Sequence, residues 1–152
     1  MPVPDARLLG LRMTALYQQW QNTGGPDLVR LTEALIAHIG LAADTPIAQT
    51  CLGAAAAVRR WQGCAYHSAR HHAEVATNAM VLAAISARLG CHTPPHELGL
   101  LLAAALAHDI DMDPSTAEQV RFAAEAKSAA ALDAIAASCG VGDDDRNAMH
   151  IL

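Results

Sequence analysis

The sequence predicts an all-α domain, a compact bundle of about seven helices, and three observations point to it. Of the 152 residues, 53% are apolar and 16% charged, a balance that buries a core and excludes an intrinsically disordered chain. The apolar share is largely Ala and Leu, and aromatics make up only 3%, so strands have little to be built from. Gly, Pro and Asx residues punctuate the chain at helix-like intervals, with no internal repeat, low-complexity tail or linker. Residues 1–152 therefore read as a single domain, with 1–62 as covering helices and 63–152 as the core that carries the chemistry.

The first helix is expected from about Asp5 to Gln21, carrying Leu8, Leu9, Leu11, Leu16 and Trp20, with a turn over Asn22 to Pro26. A second, Asp27 to His38, places Leu28, Leu31, Leu35 and Ile39 at helical spacing before the terminator Gly40. Thr45-Pro46 opens a third that runs to about Gln62. The fourth should start near Tyr66 and end at Leu89-Gly90, and Thr93-Pro94-Pro95 opens a fifth from His96 to His108. After a loop holding Asp109, Asp111, Asp113 and Pro114, Ser115 or Thr116 is expected to cap a sixth, ending at Ser138 before Gly140. The last begins at Asp143.

Charge and targeting signals narrow the function classes. Ten Lys and Arg against fifteen Asp and Glu give a net charge of -5, so no broad basic surface is present to hold nucleic acid by its phosphates. No stretch approaches the roughly 18 apolar residues of a membrane span, and the start lacks the basic-then-apolar order of a signal peptide, so a cytoplasmic protein is expected. Cys51, Cys64, Cys91 and Cys139 form no Cys-x-x-Cys pair and read as reduced thiols. Trp20 and Trp61 read as core anchors.

Histidine is where the chain departs from a plain bundle. Three of its eight histidines are His67, His71 and His72, and another stands in the pair His108-Asp109. On a helix, His67 and His71 share a face, with Glu74 and Asn78 close to it. The run Leu98 to Ala107 is apolar all round, so it belongs in the middle of the domain and carries His108 and Asp109 inward. Burying a carboxylate beside imidazoles is costly unless a divalent cation neutralises it, which makes metal binding the economical reading. Imidazole with carboxylate suits iron, manganese, zinc or cobalt, with room for a second ion such as magnesium.

Tyr66-His67-Ser68-Ala69-Arg70-His71 followed by His108-Asp109-Ile110-Asp111 resembles the HD-domain metal-dependent phosphohydrolases, with the closest likeness to the cyclic-nucleotide phosphodiesterase branch. That branch carries Tyr-His-Asn-x-x-His and His-Asp-x-Asp-His; here Ser68 stands for the Asn and Met112 for the last His. Glu125-Ala126-Lys127-Ser128-Ala129 is similar to the Glu-x-x-Ser-Ala of small bacterial HD proteins, and the likeness spans Tyr66 to Leu152. It implies that His71, His108 and Asp109 ligate the metal, that His67 protonates the leaving oxygen, and that Asp111 orients a water or helps a second ion. The family's fourth ligand is an Asp soon after an Ile-Leu or Leu-Ile pair in the last helix, whereas this chain stops at Ile151-Leu152. Three expectations follow: the core is cut short before that Asp, His150 or Asp113 completes the site, or metal is bound poorly.

The activity so implied is hydrolysis of a phosphate ester, on a nucleotide or similar small anion, with Arg70, Arg121 and Lys127 as the cations near the site. Alternatives are a di-iron oxygenase on the same fold and a regulatory domain that has lost the chemistry. Residue by residue, bland roles compete. His72 could replace His71 as ligand, although the Tyr-His-x-x-x-His spacing favours His71, and Asp111 could serve an ordinary Asx turn. Glu74 and Glu125 read as solvated helix faces, and His38, His92 and His96 as residues near helix ends. The Ala-rich stretch from Phe122 to Ala137 suits either the core or a homodimer contact.

Overall fold

The computed structural model describes residues 6–60, 68–110 and 123–151, which fold into seven helices with no strand among them. In chain order these are α1 (Ala6–Thr23), α2 (Leu28–Ile39), α3 (Pro46–Arg60), α4 (Ala69–Arg88), α5 (Pro95–Ala107), α6 (Ala123–Ser138) and α7 (Asp143–Ile151). The all-α fold class read from composition holds.

Local chemistry accounts for the boundaries. The Asp27 carboxylate accepts from the amides of Val29 and Arg30 at the start of α2. Gly40, at φ 74°, closes that helix with the paired bonds Gly40 N to Ala37 O and Leu41 N to Ile36 O. Thr45 Oγ1 accepts from Ala48 N ahead of Pro46, which suits a first helical position because it has no amide hydrogen to satisfy. The fourth helix starts later than the Tyr66 expected, because the Ser68 backbone is extended and its hydroxyl caps α4 by accepting from His71 N. The fifth begins one residue earlier, at Pro95, and ends at Ala107 with His108 as its cap. The Ser115 or Thr116 cap and Trp61 lie outside the described residues.

The core is organised around α5, which packs against every other described helix except α1. Leu102, Ala103 and Leu106 are fully buried, as the all-round apolar run predicts. Two glycines let helices approach closely. A Cβ on Gly99 of α5 would stand 2.7 Å from Ile47 Cγ2 of α3, and one on Gly53 of α3 would stand 2.7 Å from Ile135 Cγ2 of α6. Cys51 sits at the first of these crossings, its thiol donating to the Gly99 carbonyl at 3.5 Å, and burial raises its pKa to about 12.

In α1, Trp20 is buried while Leu8 and Leu11 are exposed; among the described helices α1 packs only on α4, where the Tyr17 hydroxyl donates to Asn78 Oδ1 at 2.8 Å. In α6, Leu132 and Ala136 are buried within the chain against its neighbouring helices. Among the described residues no helix is long and apolar enough to cross a membrane.

Candidate metal centre

The first half of the centre comes from the opening turn of α4. Consecutive helical residues point about 100° apart, so His71 and His72 cannot serve the same purpose. His71 turns toward the C-terminal end of α5. His72 turns into the core, where it is fully buried and its Nδ1 donates to the Leu106 carbonyl at 2.9 Å. Burial, then the neighbouring His108, lower the His72 pKa to about 4, so the ring is neutral and serves as a peg between α4 and the last turn of α5.

The second half comes from the end of α5. Carbonyls in a helix's last turn lack a partner from within the helix. One of them, Ala105 O, accepts from His108 Nδ1 at 2.9 Å, which settles the tautomer of a neutral ring and leaves its Nε2 as a lone-pair donor. Beyond it, Ile110 N bonds to Ala107 O, and the Ile110 carbonyl accepts from the buried Ser128 hydroxyl at 2.9 Å. Asp109 is thereby held between two tethered residues and is 8% exposed.

These parts bring three ligand atoms together. His71 Nε2 lies 3.0 Å from His108 Nε2 and 3.2 Å from Asp109 Oδ2, and His108 Nε2 lies 3.0 Å from the same oxygen. Donor atoms at such distances are held together either by a proton on a ring nitrogen or by a cation that all three ligate. Adjacent ligands of an octahedral ion with bonds of about 2.1 Å stand about 3.0 Å apart, so the three atoms fit one face of a divalent cation. The group could hold a metal ion, and ligand type alone does not name which.

The other residues singled out in the sequence fare variously. His67, Asp111, Asp113 and Arg121 lie outside the described residues. Glu74 faces Arg70 at 3.8 Å and is not in the ligand group. His150 pairs with Asp133 at 3.7 Å and lines the same hollow as His108 and Glu125, without joining the ligand group. His96 bonds Asp145 at 2.9 Å and ties α5 to α7, whereas His38 and His92 are exposed. Ser128 is the residue that sequence reasoning underused: it entered only as part of a motif, and its bond to Ile110 joins two elements whose proximity no local pattern reveals.

No family model, curated protein or solved structure matches the chain. The likeness to HD-domain proteins therefore stands on the quoted residues alone.

Proposed function

We propose that this protein is a metal-dependent phosphohydrolase acting on a small phosphate ester. The observation that carries the reading is the convergence of His71, His108 and Asp109, with the His108 ring locked by Ala105 so that its lone pair faces the other two donors. A divalent ion held there would activate a water for attack on phosphorus and draw charge from a phosphoryl oxygen. Asp109 offsets part of the ion's charge, and the Ala105 and Ser128 bonds fix the donors before substrate arrives. His67, four residues before His71 in sequence, is proposed as the proton donor to the departing oxygen and Asp111 as the residue that orients the water. The ion proposed is iron, manganese, zinc or cobalt.

The test is elemental mass spectrometry on the purified chain and on a His108→Ala/Asp109→Ala variant, followed by a phosphate-ester screen. Near-stoichiometric metal that the variant loses, with ester cleavage that follows the metal, is the expected result. Absence of metal from both chains after addition of those ions would overturn the reading.

A second reading has one observation in its favour: two imidazoles and one carboxylate on a face are also the donor set of non-haem iron oxygenases. Iron as the resident metal together with substrate-dependent oxygen uptake would favour it over hydrolysis.

A further inference from the structure

Two hollows run along one side of α5, and one member of the centre, His108, stands in the wall of the first. The nearer, about 400 Å³, has His108 in its wall and lies among α4, α5, α6 and α7. The farther is about 540 Å³ and extends toward Ser86 of α4 and Glu97 of α5. Ala79 and Leu101 line both, so the two meet at that pair.

The helices dictate this shape. Val75, Ala79 and Ser86 recur along one stripe of α4, while Glu97, Leu101, Ala104 and His108 recur along the facing stripe of α5. Small residues at Ala79 and Ala104 keep the space between the helices open. From Glu97 to His108 the stripe covers about 16 Å at 1.5 Å per residue.

The walls are mostly aliphatic. Among the described residues, no Lys, Arg, Phe, Tyr or Trp lines either hollow. The described walls thus offer methylene and methyl contacts rather than a stacking face or a guanidinium fork. A ligand's methylene groups gain from contact along the whole length. The acidic groups Asp109 and Glu125 mark the His108 end, so an anionic head there needs the divalent cation, and Glu97 at the far end disfavours a second anion.

We infer that the substrate of this centre is a phosphate monoester of an aliphatic alcohol, its head at His71, His108 and Asp109 and its chain in the α4–α5 groove. The inference rests on the phosphohydrolase reading for the head and on the groove for the tail. In the reaction a water oxygen bonds to phosphorus, the bond from phosphorus to the alkyl oxygen breaks, and a proton from the water ends on that oxygen. The products are the alcohol and inorganic phosphate.

Alkylphosphonates, which cannot be hydrolysed, test the two halves separately. Methyl-, butyl- and octylphosphonate would be titrated calorimetrically, below micelle-forming concentrations, into the manganese-loaded full chain and into Ala104→Phe and Ala83→Phe variants. Affinity is expected to rise roughly fourfold for each methylene that enters the groove. Ala104→Phe should abolish that gain while leaving methylphosphonate unchanged. Ala83→Phe, in the farther hollow, should weaken octylphosphonate alone, and it serves if the first variant does not fold. Equal affinity for methyl- and octylphosphonate with manganese bound would overturn the inference and leave the metal reading intact. Octylphosphonate binding that Ala104→Phe abolishes, on a chain that takes up no manganese, would overturn the phosphohydrolase reading and support the groove's ligand class. Long-chain binding insensitive to both variants would also overturn the inference.

Discussion

His71 and His108, thirty-seven residues apart in the chain, bring their Nε2 atoms to 3.0 Å, and Asp109 Oδ2 stands within 3.2 Å of both. Adding metal should therefore stabilise the fold, because the ligand atoms converge only when α4 and α5 are packed. At a free metal concentration a hundredfold above Kd the gain is about 2.7 kcal/mol, read as a rise in Tm. His71→Ala and Asp109→Ala should lose that rise. His72→Asn should keep it, since an Asn amide can still donate to the Leu106 carbonyl and the residue is not in the ligand group.

Stability in acid should depend on His72. Its pKa is about 4 in the fold against an ordinary 6.5, so the unfolded chain takes up the proton first as pH falls. The contribution of the neutral ring is thus complete above about pH 6.5 and is lost as pH falls toward 4, on the order of 3 kcal/mol in total. Urea unfolding with chelator present, run between those pH values, should show a shallower acid decline for His72→Asn than for the native chain. Parallel declines would remove His72 as the cause.

Ser128→Ala should cost about 1–3 kcal/mol, since the Ile110 carbonyl loses a buried donor. Metal affinity should fall with it, because that carbonyl anchors the turn holding Asp109. A variant with native Cm and native metal affinity would show that the bond positions nothing.

Gly99→Ala and Gly10→Ala should act in opposite directions. At Gly99 the new Cβ would meet Ile47 Cγ2 at 2.7 Å and Leu41 Cδ2 at 2.9 Å, a crowding cost of about 1–3 kcal/mol that exceeds the gain in helix propensity. At Gly10 of α1 nothing lies within 4 Å, so alanine should stabilise by about 0.5–1 kcal/mol. Denaturant midpoints of the two variants check both signs.

Much of this protein was legible in its sequence because helices are set by near neighbours. Asp27 and Gly40 bound α2, Thr45-Pro46 opens α3, and the unbroken apolar run ending at Ala107 marks α5 as the central helix, each through contacts within a turn or two. At α1 the same spacing marks a helix, yet of its large apolar residues Trp20 is buried while Leu8 and Leu11 are exposed. Spacing gives a helix an apolar side but does not supply the partner that covers it.

The sequence alone could nominate the ligand group, through the pairing of His71 with His108-Asp109, and favoured His71 over His72 through the Tyr-His-x-x-x-His spacing. Tertiary structure supplied the geometry behind that preference, since the packing of α4 on α5 sends the His71 imidazole to the cluster and the His72 imidazole to the Leu106 carbonyl. It also decided the tautomer of His108, the hold of Ser128 on Ile110 and the aliphatic groove beside the centre. All of these depend on groups far apart in the chain, and the distances among them follow from how whole helices pack rather than from the residues beside each one.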